Sequence, residues 1–140
     1  MLTIVAFIVA LALLIAVHEY GHYRVAVACG VKVLKFSIGF GQTVLRWQPK
    51  GSPTEFVISA FPLGGFVKML DEREAPVAPE ERHLAFNTQS LPKRAAIVAA
   101  GPAANLLLAV LLYALVNWSG VEGPKAILAS RTIGSDAADA

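Results

Sequence analysis

Two histidines four residues apart, His18 and His22, with Glu19 directly after the first, form the stretch of this chain best equipped for chemistry. A helix repeats every ~3.6 residues, so the two imidazoles of Val17-His18-Glu19-Tyr20-Gly21-His22 share one face. That spacing lets both reach a single metal ion, and Zn²⁺ is the usual occupant of such a site. Glu19 is offset from the histidine face, where its carboxylate can hold a water and accept its proton as a general base. Short motifs of this kind also arise by chance. Their setting here weighs against chance, because ionisable groups are costly in a bilayer and this cluster closes a long apolar run.

That run belongs to an unusually apolar chain. Its 140 residues are 56% hydrophobic and only 16% charged, with a mean hydropathy of +0.59. A soluble domain carries roughly a quarter charged residues, so this composition indicates a membrane protein. A net charge of +2, with no basic cluster interleaved with aromatics, excludes nucleic acid as a partner. The single Cys29 excludes an internal disulfide and a cysteine-based zinc knuckle.

Two elements must position the motif. Leu2 to Val17 is free of charge, and its 16 residues make ~24 Å of helix, short of a ~30 Å hydrocarbon core. The first transmembrane helix, placed within residues 1–30, therefore continues through His22. A signal peptide is excluded by the missing basic n-region, the ionisable residues at the end of the run and the lack of an A-x-A site. A second span runs from Ala95 to Trp118, with Tyr113 and Trp118 suited to an interfacial belt. Ten of the twelve Lys and Arg residues lie between the spans, and only Lys125 and Arg131 follow. The excess of positive charge puts residues 32–94 in the cytoplasm and both termini outside.

The connecting segment is rich in strand formers. Val33–Phe40, Thr43–Gln48, Thr54–Phe61 and Phe66–Leu70 read as strands, separated by Gly39 and Gly41, by Pro49–Pro53 and by Pro62–Gly65. Residues 31–70 are either a small cytoplasmic sheet or a hairpin system re-entering the membrane beside the motif, where backbone must be covered by protein or water. An unpaired edge there can accept an extended substrate by strand addition. Residues 71–94 read as a solvated acidic loop with one short helical turn and a surface His83. In Gly101-Pro102-Ala103-Ala104-Asn105, Pro102 bends the second helix and the small residues allow close helix approach. Asn105 either bonds a neighbouring helix or points at a reacting carbonyl.

These blocks together resemble the site-2 protease family of intramembrane zinc metalloproteases, in particular its bacterial members that act on anti-sigma factors. The resemblance rests on His18-Glu19-Tyr20-Gly21-His22, Phe36-Ser37-Ile38-Gly39-Phe40-Gly41, Pro62–Leu70 and Ala100–Asn105, in that order. It implies that His18 and His22 bind Zn²⁺, that Glu19 is the catalytic base and that Asn105 belongs to the active site. It further implies that Phe36, Ser37, Ile38, Gly39, Phe40 and Gly41, with Gly64 and Gly65, lie in a re-entrant loop that presents substrate. The family's third zinc ligand, an Asp in a later transmembrane segment, has no match here. Asp71 falls in the loop, and Asp136 and Asp139 follow the second span. Residues 119–140 resemble the start of an extracytoplasmic PDZ-like region, so the chain is expected to be the N-terminal portion of a larger enzyme.

The expected fold is thus an α-helical membrane protein with a small β segment, two transmembrane helices flanking a membrane-associated or re-entrant β-hairpin region. The expected setting is a bacterial inner membrane, and the expected substrate a single-pass transmembrane protein such as an anti-sigma factor or a signal-peptide remnant. Two other readings stay open: an inactive membrane scaffold with a structural or vestigial histidine pair, and a zincin facing the aqueous phase.

Overall fold

The computed structural model describes residues 1–120, so the expected PDZ-like region lies outside the described residues apart from Ser119 and Gly120. Helix α1 (Leu2–Ala28) is continuous through the His18–His22 motif. Its 27 residues make about 40 Å of helix, enough to cross a hydrocarbon core. Helix α2 (Leu91–Trp118) begins four residues before the expected span. Pro92 explains the difference, since its fixed φ and missing N–H suit the first turn of a helix. Lys93 and Arg94 therefore occupy helical positions. Pro102 lies inside α2 without ending it.

Both helices are long and apolar enough to cross a membrane, with mean hydropathies of 2.4 and 2.2 over their most apolar windows. Leu2, Phe7 and Val9 on α1 and Leu106, Val110 and Leu111 on α2 are more than half exposed, as lipid-facing side chains would be. The helices meet at Gly21, where an added Cβ would lie 2.5 Å from the Ala100 carbonyl oxygen and 2.8 Å from Ala104 Cβ. Only glycine permits that approach.

Between the helices, β1 (Val33–Trp47) and β2 (Glu55–Met69) pair as a two-stranded antiparallel sheet. The four strands expected from the sequence are thus two strands of 15 residues each. Gly39 and Gly41 adopt φ of +85° and +86° inside β1, and Gly64 adopts +148° inside β2. These conformations bend the strands where the sequence signals turns, yet keep the chain in the sheet. The register doubles as a result. Lys35–Ile38 pairs with Gly65–Lys68 on one side and with Glu55–Ile58 on the other, while Thr43–Trp47 pairs with Phe56–Ser59.

Tyr23 of α1 ties the sheet to the helix, with its ring 5.7 Å from Phe36 and 5.5 Å from Phe56. Below it, Ala26, Val31, Val33 and Ile97 form a buried core joined by Val67, Met69 and Phe86. The segment after β2 is more anchored than a solvated loop. Lys32 N–H donates to the Leu84 carbonyl, Leu70 N–H to Lys32 and Phe86 N–H to Leu70, at 2.7–2.9 Å, and Ala85 is fully buried. Apolar Ala85 and Phe86, which follow the acidic stretch, supply the burial that fastens this segment. Its one helical turn is a 3₁₀ helix at Pro79–Leu84, and His83 is on the surface. The far half of the sheet is apolar and uncovered, with Phe40, Val44, Phe61 and Leu63 each at least half exposed.

Candidate active site

The end of α1 and the middle of α2 bring His18, His22 and Asn105 together. The two Nε2 atoms converge to 3.1 Å. Two nitrogens bound to one zinc at ~2.0–2.1 Å with tetrahedral angles lie ~3.3 Å apart, so the observed convergence is close to that of a shared metal. His22 Nδ1 sits 2.7 Å from the Ile97 carbonyl oxygen. A carbonyl can only accept, so Nδ1 carries the proton and Nε2 presents a lone pair.

His18 shows the same logic through a side chain. Its Nδ1 lies 3.4 Å from the Asn105 amide nitrogen, and Asn105 Oδ1 is buried without a partner. The two amide ends are nearly indistinguishable by shape. Turning the amide gives Oδ1 the His18 Nδ1–H and leaves the second Nε2 as a lone pair. With the amide so turned, the two Nε2 lone pairs face each other at 3.1 Å, an arrangement that suits a cation held between them. The residues therefore fit zinc. Among the described residues no cluster of three or more His, Cys, Asp or Glu side chains is arranged for a metal. A zinc site takes four ligands, so two histidines alone leave it incomplete.

Glu19 stands between two cavities. The larger, about 500 Å³, runs from Glu19 and His22 past Lys68 and Phe86 to Asp71, Arg73 and Glu74. The smaller, about 370 Å³, is walled by Leu11, Leu14, Ile15 and Phe40 around His18, Glu19 and Asn105. Gly65 lines both, and a Cβ there would come within 2.8 Å of Glu19 Cγ and 2.7 Å of the Ser37 carbonyl oxygen. β2 can approach the carboxylate this closely only because position 65 has no side chain. At the charged end, Arg73 binds Asp71 at 2.5 and 2.9 Å, and this bonding holds the Asp71 carboxyl below its ordinary range. Asp71 thus stays ionised and engaged by Arg73 near neutral pH.

Of the residues singled out in the sequence, His18, Glu19, His22, Asn105, Phe40, Gly64 and Gly65 gather at these cavities. The Phe40 ring packs over Gly64, where a Cβ would collide with it. Phe36 and Ser37 are buried in the doubly paired part of β1, and Ile38 pairs on both sides as well. Gly39 packs on the Ser59 and Phe61 carbonyls and Gly41 on the Phe61 ring. Two further groups beside the histidines carry no reactive side chain: the Ile97 carbonyl, which accepts from His22 Nδ1, and Gly101, where a Cβ would meet both imidazoles. Their four-residue spacing from each other and from Asn105 is the signal in the sequence that could reveal them.

A family model described as peptidase family M50 matches residues 6–136. The chain belongs to that family. Among its relatives in the M50 family, the regulator of sigma-E protease RseP of Escherichia coli K12 is 53% identical over 135 residues, 96% of this chain and 30% of that protein. Protease RseP of Yersinia pestis is 51% identical over 138 residues, 99% of this chain and 30% of that protein. A protein of Ralstonia nicotianae, provisionally named a zinc metalloprotease, is 51% identical over 147 aligned positions, all of this chain and 32% of that protein. The chain thus spans about a third of the length of these relatives.

Proposed function

We propose that this chain carries the histidine pair and the general base of an intramembrane zinc metalloprotease that cleaves within the transmembrane segment of a single-pass membrane protein. The carrying observation is the convergence of the His18 and His22 Nε2 atoms at 3.1 Å, with Glu19 facing both an apolar and a charged cavity. The chemistry supplied by a bound zinc is polarisation of the scissile carbonyl and acidification of water. His18 and His22 would hold it, with a further ligand from outside the described residues. Glu19 takes the proton of the attacking water and passes it to the departing amine. Asn105 belongs to the site through His18 and lines the apolar cavity, through which a substrate segment would enter.

A substrate helix hides its carbonyls in hydrogen bonds and must unwind before attack. The outer side of Gly65–Met69 offers a place for the extended form, since among the described residues these positions make no main-chain hydrogen bond outside the sheet. Gly64 and Gly65 keep this edge close to Glu19, and Phe36–Gly41 supports it from behind. Relatives named as sigma-E regulators favour an anti-sigma factor as substrate; signal-peptide remnants share the same single-span chemistry. Cleavage of a transmembrane substrate by the full-length protein, measured with a chelator and after zinc is restored, tests the reading. Activity that ignores the chelator contradicts it, and a protein inactive throughout leaves the scaffold reading.

In this reading the chain comprises a first transmembrane helix (1–30), a membrane-associated β segment (31–70), a cytoplasmic loop (71–94), a second transmembrane helix (95–118) and an extracytoplasmic segment (119–140). The setting is a bacterial inner membrane with residues 32–94 on the cytoplasmic side. The exposed apolar side chains of the bent sheet support its re-entry into lipid. In a Cys29→Ala background, Glu80→Cys should resist an impermeant thiol reagent in intact cells and react after lysis. Labelling in intact cells would reverse the topology.

A further inference from the structure

We propose that the α2 stripe Ile97–Gly101–Asn105 is the second half of the metal site, in which Gly101 keeps the metal's place open. The three positions are four residues apart and so lie along one face of α2. At one end the Ile97 carbonyl accepts from His22 Nδ1 at 2.7 Å. At the other, the Asn105 amide meets His18 Nδ1, and its orphaned oxygen is satisfied when it accepts the Nδ1 proton. The first contact fixes the His22 tautomer, and the second fixes the same tautomer at His18 once the amide oxygen is turned to Nδ1, so that the Nε2 lone pairs face each other.

Between those two contacts lies Gly101. A Cβ built there would lie 2.7 Å from His18 Nε2 and from His22 Cε1, and closer still to His22 Nε2. A point near both converging lone pairs is where a shared ion would sit. The missing side chain at position 101 is therefore matched to the metal, whereas the missing side chain at Gly21 is matched to helix packing against Ala100 and Ala104. The two glycines face the same helix pair but do different work. The inference rests on the reading that His18 and His22 hold zinc, and the test separates failure of the one from failure of the other.

The test uses full-length protein and measures zinc stoichiometry, zinc affinity by competition with a chelator, and thermal unfolding with and without zinc. Wild type should bind one zinc and unfold at higher temperature when loaded. Gly101→Ala should weaken zinc binding by at least about 100-fold, the upper end of what loss of an outer-shell partner costs, and should lose the zinc-dependent rise in unfolding temperature. Its metal-free unfolding should stay near that of metal-free wild type, because the imidazoles can rotate away from a methyl group. Gly21→Ala should do the opposite, unfolding earlier with or without metal while the folded fraction keeps its zinc. If Gly101→Ala does not fold, Asn105→Ala decides: about 10–100-fold weaker zinc binding with unchanged metal-free unfolding supports the stripe, and unchanged affinity overturns it. Equal zinc affinity in folded Gly101→Ala and wild type overturns the role of Gly101. A wild type that binds no zinc at all removes the metal reading beneath both.

Discussion

Glu19→Gln is expected to abolish cleavage while leaving the zinc content of the full-length protein at the wild-type level. Glu19 follows His18 directly and is turned about 100° from it around α1, away from the face that carries both histidine nitrogens. Its Cγ packs against Gly65, and its carboxylate borders both cavities. The amide has the same shape, so neither the packing against β2 nor the histidine pair should be disturbed. What the amide lacks is the capacity to accept a proton at neutral pH. General acid–base assistance contributes about 10²–10⁴-fold, so residual cleavage should lie at or below about one per cent. Metal analysis and a cleavage assay on the same preparation check this. A variant that loses its zinc would make Glu19 a ligand, and one that cleaves at more than a few per cent of the normal rate would need another base.

Proline placed along Gly65–Lys68 is expected to separate substrate binding from folding by position. These four residues pair in unbroken register with Lys35–Ile38, and their opposite side makes no main-chain bond outside the sheet among the described residues. Along a strand, successive N–H groups point to opposite sides. Proline at every second position therefore removes a donor from the ladder with β1, and should lower protein level and zinc content together. Gly65 is set apart because any side chain there would collide with Glu19 Cγ, but at the alternate positions among Phe66, Val67 and Lys68 proline removes only a donor on the free side. There the protein should fold and keep its zinc while cleavage falls about tenfold, the consequence of one lost main-chain hydrogen bond of ~1.4 kcal/mol. Matched alanine substitutions at the more exposed Phe66 and Lys68 should be mild. Uniform tolerance of proline, or loss of folded protein at Phe66, Val67 and Lys68 alike, would rule out strand addition at this edge.

The histidine motif and both helices were legible because they rest on local rules: a 3.6-residue repeat, an uninterrupted apolar run and the placement of charge. The helix limits were less so, since Pro92 allows α2 to begin among charged residues that a hydropathy reading leaves in the loop. The sheet was legible as segments but not as pairing. Gly39, Gly41 and Gly64 look like turn residues, and only tertiary context shows that their positive φ bends a strand without leaving it. The doubled register buries Phe36 and Ser37 and leaves Gly65–Met69 at the edge, a distinction that no alternation of side chains carries. Gly101 was legible only as a small residue that lets helices approach, and the Ile97 carbonyl not at all. Residue type advertises side-chain chemistry, and their part depends on a backbone oxygen and an absent Cβ meeting imidazoles more than seventy residues earlier in the chain.

X-ray absorption at the zinc edge of the full-length protein reads directly whether His18 and His22 together hold a zinc ion. The wild-type spectrum should show imidazole nitrogens at ~2.0–2.1 Å with the outer-ring scattering of two histidines and no sulfur ligand. Replacing either histidine by Ala should remove one imidazole contribution from whatever zinc remains bound. A sulfur-dominated shell, or a spectrum unchanged in both His18→Ala and His22→Ala, would contradict the assignment.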